Sequence, residues 1–138
     1  MLIKVTKEAI DFEEARLAVA HPSCGAIVSF EGTIRAEHEG KIVIGLEYEV
    51  HEVFMRAEVE RIVQEIQERW RIHELALIQR IGKLDVGETG IVIAVSSPHR
   101  QEALVACQYL IDEFKKRAPV WKKEYFASGE QWVGSALL

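Results

Sequence analysis

The sequence lacks the features that mark membrane-spanning and secreted proteins. No apolar run approaches the roughly 18 residues that a membrane-spanning helix needs, and the first residues contain no apolar core of signal-peptide length. The 138 residues include 2 cysteines, Cys24 and Cys107, both in apolar surroundings. This usage predicts buried free thiols rather than a disulfide framework. We therefore expect a cytoplasmic protein that does not associate with membranes.

The common ligand-binding motifs are absent as well. The chain contains neither G-x-G-x-x-G nor G-x-x-x-x-G-K-[ST], which argues against dinucleotide binding and P-loop nucleotide binding. The motif His-Glu-x-x-His and paired cysteines are also missing, and the 5 histidines are scattered along the chain. The sequence thus predicts neither a bound metal nor a cofactor.

Positive charge is scarce overall but concentrated in one segment. The chain has 17 Lys and Arg against 22 Asp and Glu, a net charge of −5, which argues against general nucleic-acid binding. Between His99 and Lys123, however, 6 basic residues stand against 3 acidic ones, and the rest of the chain carries −8. Such a segment predicts either a local anion-binding site or a solvated helix end.

Apolar periodicity predicts an α+β protein, and the length fits one domain, residues 1–138. Strand and helix patterns follow the order β-α-β-β-α-β-β-α-β, which favours a mostly antiparallel sheet whose helices cover one face. The strands Gly25–Ile34 and Val43–Val50 are separated by a short polar turn, which predicts a hairpin. The helices are expected to run from an Asp11 N-cap to about Ala20, from His51 to Trp70 and from Glu102 to Lys116.

The first candidate site is the segment Ser96-Ser-Pro-His-Arg100. Here a β-branched strand gives way to a helix, with Ser97 as the expected N-cap and Pro98 at the first helical position. His99 and Arg100 then fall in the first turn, where cationic side chains oppose the helix dipole. A bound anion would reverse that sign, because the free backbone N–H groups and both side chains would favour it. The alternative is a surface arginine beside a capping histidine.

The second candidate is the lysine-rich segment that follows the same helix. Lys115 and its basic neighbours suit a helix C-terminus and have a structural explanation there. Lys122 and Lys123 lie in an extended stretch, where one of the two can face a given pocket. Pro119 marks a bend that could return Lys122 towards Lys115. Clustered lysines lower one another's pKa, which would supply a neutral amine for base or nucleophile chemistry.

The third candidate is Arg35, at the end of the strand that begins at Gly25. Gly32 lies close by and would allow a backbone or a ligand to approach closely. Alone, an arginine at a strand end is more often a solvated charge.

Five segments occurring in order resemble the family of large, catalytic subunits of molybdopterin synthase. The segments are Gly25-Ala-Ile-Val-Ser-Phe-Glu-Gly-Thr-Ile-Arg35, Leu46-Glu-Tyr-Glu49, Arg80-Ile-Gly-Lys-Leu-Asp-Val-Gly-Glu88, Ala94-Val-Ser-Ser-Pro-His-Arg100 and Arg117-Ala-Pro-Val-Trp-Lys-Lys-Glu124. The resemblance implies an α/β hammerhead fold, with a mostly antiparallel sheet covered by helices and a smaller β subdomain.

The resemblance also implies an activity and partners. Enzymes of this family are sulfurtransferases of molybdenum cofactor biosynthesis. They convert cyclic pyranopterin monophosphate into molybdopterin by inserting two sulfurs, which form a dithiolene. The sulfur comes from a small ubiquitin-like subunit whose Gly-Gly C-terminus is a thiocarboxylate. The large subunit forms a homodimer within a heterotetramer, with one small subunit at each end.

Site residues follow from matching positions in the family motifs. Lys115 and Lys122 correspond to the two essential lysines; we assign Lys115 to the donor terminus and Lys122 to substrate orientation or proton transfer. A cationic pocket suits this reaction, because a phosphate and a thiocarboxylate must meet at one site. The other positions that the resemblance assigns to substrate binding are Phe30, Thr33, Ile34, Arg35, His99, Arg100, Lys123 and Glu124.

The chain departs from the family pattern at its C-terminus. Some members place a basic residue in the tail that reaches across the dimer into the neighbouring site. Here the tail after Trp132 has no charged side chain, which predicts that it packs as an apolar segment.

Two other functions compete with sulfur transfer. A non-catalytic module could use the same basic pocket to bind a phosphorylated metabolite, and it would tolerate conservative lysine changes. A pure scaffold for the small subunit would leave His99 and Arg100 without a purpose.

Overall fold

The computed structural model describes residues 1–133, with side chains described for residues 1–129. Its helices span Phe12–Val19 (α1), Glu52–Arg69 (α2) and Arg100–Arg117 (α3). Its strands span Leu2–Thr6 (β1), Ala26–Thr33 (β2), Glu37–His38 (β3), Lys41–Val50 (β4), Glu74–Arg80 (β5), Gly82–Leu84 (β6), Thr89–Ser97 (β7), Val120–Phe126 (β8) and Gly129–Val133 (β9). None of the described helices combines the length and apolar character needed to cross a membrane.

The first sheet has the strand order β1-β5-β7-β2. Only the β1–β5 pair within it is parallel, so the prediction of a mostly antiparallel sheet is confirmed. The two central strands, β5 and β7, are almost continuously buried. Their uninterrupted apolar sequences fit strands that are covered on both faces.

Helices cover both faces of this sheet, so the prediction that they cover one face was wrong. The larger core lies between one face and the helices α2 and α3, where Ile62 and Leu110 pack with Ile93. On the opposite face, α1 packs through Val19 against Ile78. The central strands bring apolar side chains to both faces in alternation, and each face therefore needs a cover.

The predicted hairpin between the strands at Gly25–Ile34 and Val43–Val50 was also wrong. In the structure β2 pairs with β7 in the first sheet, whereas β4 belongs to a second sheet of order β3-β4-β8-β9 that also contains β6. Period-two alternation determines which face of a strand is buried but does not identify its partner. The second sheet, which has five strands against four in the first, corresponds to the β subdomain that the resemblance implied.

A small core joins the two sheets beside the candidate site. It consists of Ile34, Leu46 and Leu84, with the ring of Tyr48 packed against it. The same ring approaches Gly90 so closely that a Cβ atom there would lie 2.7 Å from a carbon of the Tyr48 ring. Glycine at position 90 therefore allows the second sheet to rest on the first.

Replacement of Gly90 by alanine should destabilise the protein by about 1–3 kcal/mol, because the new methyl group overlaps the Tyr48 ring. Urea unfolding of Gly90→Ala measures the loss. The same substitution in a Tyr48→Ala background is the control, and there its cost should shrink markedly. An equal cost in both backgrounds would show that the Tyr48 contact is not its cause.

A network of ion pairs and hydrogen bonds links α2 to the C-terminal end of α3. Arg117 donates from Nε to Glu58 at 3.1 Å and from Nη1 to Glu65 at 2.9 Å. The Tyr109 hydroxyl donates to the same Glu65 oxygen at 2.6 Å. The hydrogen bonds from Arg117 and Tyr109 lower the pKa of Glu65 to about 2.

Because of this lowered pKa, the contribution of Glu65 to the free energy of unfolding depends on pH. Glu65 keeps its charge in the folded state down to about pH 2, whereas in the unfolded chain it takes up a proton near its ordinary value of 4.5. The contribution of Glu65 to the free energy of unfolding is therefore complete above pH 4.5 and is lost as the pH falls towards about 2, the pKa in the folded state. We expect Glu65→Gln to cost about 1 kcal/mol at neutral pH in urea unfolding. This difference from the native chain should vanish in acid, and a pH-independent difference would contradict the assignment.

The two cysteines are both free thiols, but one of them differs from the prediction. Cys107 is buried on α3, and burial raises its pKa to about 11. Cys24 is half-buried rather than buried, because it lies in the loop before β2 beside the exposed Ser23. Neither thiol lies in the segments proposed for chemistry.

Candidate active site

Three cationic side chains meet at the C-terminal end of α3. Lys115 lies in the last turn of that helix, Arg35 in the loop after β2 and Lys122 on β8. Although solvent still reaches Lys115, its pKa is lowered, first by partial burial of the amine and then by the charges of Lys122 and Arg35. The structure thus brings together three of the predicted residues and makes the Lys115 amine easier to deprotonate than an isolated lysine.

A sharp reversal of the chain places Lys122 near Lys115. Helix α3 ends at the C-cap Ala118, whose N–H donates to the Phe114 carbonyl. The next residue is Pro119, whose carbonyl accepts a hydrogen bond from His51 N–H at 3.1 Å, and β8 begins directly after it. The predicted bend at Pro119 is therefore confirmed.

Lys122 and Lys123 lie on opposite faces of β8. Lys122 is paired with Tyr48 across the β4–β8 ladder, so its side chain shares the face that packs towards the first sheet. Lys123 is paired with Glu47, and its ammonium lies 5.7 Å from the centre of the Tyr125 ring. The structure thus places Lys123 on the face opposite Lys122, and its role in substrate binding stays a prediction.

Glu124 lies on the same face as Lys122 and is buried. It is 3% exposed, and its Oε1 lies 2.7 Å from His38 Nδ1 and 3.6 Å from Lys122 Nζ. Burial, and then the negative charge of Glu124, raise the pKa of the nearby Tyr48 hydroxyl. Sequence reasoning missed His38, because it lies in a polar turn 86 residues before its partner.

The strand residues before Arg35 form a packed wall with little free backbone. Ile34 N–H donates to Glu88 O at 3.0 Å, and Ile34 O accepts from Gly87 N–H at 2.8 Å. The backbone of Ile34 is thus tied to the turn before β7, and its place in the wall of a substrate site stays a prediction. Thr33 is exposed, and Phe30 is half-buried against the main core.

His99 and Arg100 lie at the other end of α3. The helix begins at Arg100 and His99 is its N-cap, whereas Ser97 ends β7 and donates its hydroxyl to the His99 carbonyl. The prediction of a Ser97 N-cap is therefore wrong. Both cationic side chains are exposed, but fifteen residues of helix separate Arg100 from Lys115, about 22 Å at 1.5 Å per residue. Within one chain these two groups cannot contact the same phosphate or carboxylate.

Comparison with known proteins identifies the family. The family model described as "MoaE protein" matches residues 5–117. The chain belongs to the MoaE family. The molybdopterin synthase catalytic subunit of Bacillus subtilis is 42% identical over 134 residues, 97% of this chain and 85% of that protein.

Solved structures agree with this membership. The crystal structure of molybdopterin synthase from Staphylococcus aureus superposes with a TM-score of 0.89 at 34% identity, covering 94% of this chain and 95% of that one. A protein–protein complex of subunits 1 and 2 of the molybdopterin-converting factor from Helicobacter pylori gives a TM-score of 0.78 at 21% identity, over 95% of this chain and 89% of that chain. The second likeness concerns the fold alone.

The family motifs of this MoaE protein do not all lie together. The segments that contain Arg35, Leu46, Arg80 and Lys122 meet where the two sheets join, whereas the segment that contains His99 lies at the far end of α3. Among the described residues, no group of three or more His, Cys, Asp or Glu could hold a metal ion. The apolar tail, residues 134–138, lies outside the described part of the chain, so its packing stays a prediction.

Proposed function

We propose that this chain is the catalytic subunit of a molybdopterin synthase and acts as a sulfurtransferase. It would transfer two sulfurs from the thiocarboxylated Gly-Gly terminus of a small ubiquitin-like subunit to cyclic pyranopterin monophosphate, in the cytoplasm. The observation that carries the proposal is the cluster of Arg35, Lys115 and Lys122, in which the pKa of Lys115 is lowered. The names of the Bacillus and Staphylococcus relatives support the activity.

The cluster has the charge and the chemistry that this reaction needs. The donor tail carries a thiocarboxylate and the acceptor carries a phosphate, so two anions must approach each other. Arg35 and Lys122 offset their repulsion, and fixed cations also stabilise oxyanions that form when the acyl–sulfur bond breaks. Lys115, whose pKa is lowered, would supply the donor terminus with an amine that loses its proton more easily than an ordinary lysine, as a base or a nucleophile requires.

A second copy of the chain gives His99 and Arg100 a role in the same site. One chain leaves them about 22 Å from Lys115 along α3, too far to share an anion with it. In the homodimer that we expect, the start of α3 from one copy would face the cationic cluster of the other. Such a two-fold arrangement produces two identical shared sites.

Reconstitution with purified components tests the proposed function. The chain, a small subunit with a thiocarboxylate terminus and cyclic pyranopterin monophosphate should together yield a dithiolene product, detected after oxidation by its fluorescence. The matched control is the same small subunit with an ordinary carboxylate terminus, which should yield none. If precursor binds but no dithiolene forms with the thiocarboxylated partner, the anion-binding module is the better description.

A further inference from the structure

We propose that His38 is a positioning residue that acts through Glu124 on the Lys122 amine. The role of Lys122 in the reaction rests on the proposed function, but the contact between His38 and Glu124 does not. His38 lies on the two-residue strand β3 and is 26% exposed, and nothing in its sequence surroundings marks it as functional.

The argument begins with a single carboxylate oxygen shared by two donors. Oε1 of Glu124 lies 2.7 Å from His38 Nδ1 and 3.6 Å from Lys122 Nζ. The contact with His38 has the length of a short hydrogen bond. The contact with Lys122 is longer than a hydrogen bond, so Glu124 and Lys122 interact there only through the attraction of their charges. An ionised carboxylate can only accept, so Nδ1 of His38 carries the hydrogen in this contact.

In this geometry Glu124 orients the Lys122 amine without accepting a hydrogen bond from it. Because Glu124 is nearly inaccessible to water, its charge must be satisfied by its neighbours. The His38 hydrogen bond satisfies part of that requirement and holds Oε1 at a distance from Lys122. The ammonium hydrogens of Lys122 therefore stay available for the substrate. Without His38, the carboxylate would close onto Lys122 and engage those hydrogens.

The remaining charged and titratable neighbours are consistent with this role. Glu39 is 83% exposed, and its carboxylate lies 3.8 Å from His38 Nε2, too far for a direct hydrogen bond. Tyr48 lies close enough to Glu124 for the carboxylate charge to raise its pKa. Among the side chains described, for residues 1–129, neither Glu39 nor Tyr48 takes the place of the Nδ1 hydrogen bond, and we infer that His38 holds Glu124 in position.

A spectroscopic experiment tests the contact without any turnover. In protein labelled with ¹⁵N-histidine, the nitrogen shifts of His38 should report a hydrogen on Nδ1. The substitution Glu124→Leu, which removes the acceptor, should move the hydrogen towards Nε2 for His38 alone, and the other histidines serve as internal controls in the same spectra. A His38 tautomer that does not respond to Glu124→Leu in a folded chain would overturn the proposal.

Kinetics on the reconstituted enzyme then test the positioning. We expect His38→Ala to lower kcat roughly 10-fold with little change in KM, as outer-shell partners commonly do. The substitution His38→Asn should restore most of kcat, because its amide nitrogen is as many bonds from Cα as Nδ1 is. In a Glu124→Gln background His38→Ala should change kcat by less than about twofold, because the group through which it acts is already altered.

The outcomes separate this proposal from the proposed function. The positioning role would be contradicted if the effects of His38→Ala and Glu124→Gln on kcat were additive. It would also be contradicted if His38→Asn and His38→Ala lost the same amount of kcat while the melting temperature stayed unchanged. Absence of dithiolene with the native chain would instead contradict the proposed function. In that case the tautomer response still decides whether His38 holds Glu124.

Discussion

Replacement of Lys115 by alanine is expected to lower the rate of dithiolene formation by roughly 10²–10⁴-fold, the range of a lost acid–base group. Lys115 lies in the last turn of α3, and its pKa is lowered first by partial burial of the amine and then by the charges of Lys122 and Arg35. Its side chain is exposed and forms no part of the core, so the melting temperature should change little. Rate and melting are measured on the same preparation.

Two further variants define what Lys115 contributes. Lys115→Arg keeps the charge but removes the readily deprotonated amine, because guanidinium stays protonated at all working pH values; its rate should stay low. Lys116→Ala is the matched control, since Lys116 is the next lysine on the same helix and pairs with Glu113 at 3.2 Å. Full activity of Lys115→Arg would mean that charge alone suffices, as in an anion-binding module.

Mixing two inactive variants should restore activity. We expect the double substitution His99→Ala, Arg100→Ala to lower turnover roughly 100-fold, because two charged contacts to the precursor are lost. When this variant is mixed with Lys115→Ala and the subunits exchange, half of the dimers contain one copy of each. Each mixed dimer has one intact site if the site is shared, so activity should recover to roughly one quarter of the native level.

The control is each inactive variant mixed with itself, which should stay inactive after the same exchange treatment. Subunit exchange is verified by native mass spectrometry on differently tagged copies. If mixed dimers form and activity does not recover, His99 and Arg100 do not complete the site of a neighbouring copy.

The three helices and the six longer strands could be predicted because their signals are local, whereas the strands β3, β6 and β9 were not predicted. Asp11 caps α1 as expected and accepts a hydrogen bond from Glu13 N–H, and the 18-residue helix α2 begins and ends within a residue of its apolar pattern. Strand partners could not be predicted in this way. The alternation in β4 is equally compatible with β2 or β8 as neighbour, because it shows which face is buried and not which strand lies alongside.

The candidate site shows the same division between local and distant signals. The Pro119 bend made the approach of Lys122 to Lys115 predictable, and the period of an extended strand indicated that Lys122 and Lys123 would face apart. His38 could not be found, since its partner Glu124 is distant in sequence. The separation of Arg100 from Lys115 follows from helix length, although motif matching grouped the two residues into one site.

An isotope experiment that traces the source of the two sulfurs tests most directly whether this chain transfers sulfur from the small subunit. The small subunit is prepared with a heavy sulfur isotope in its terminal thiocarboxylate and is incubated with the chain and unlabelled cyclic pyranopterin monophosphate. Mass spectrometry of the isolated product should find the heavy isotope at both sulfurs of the dithiolene, with two tails converted to carboxylates for each product molecule. A dithiolene without heavy sulfur, or no dithiolene despite bound precursor, would contradict sulfur transfer at this site.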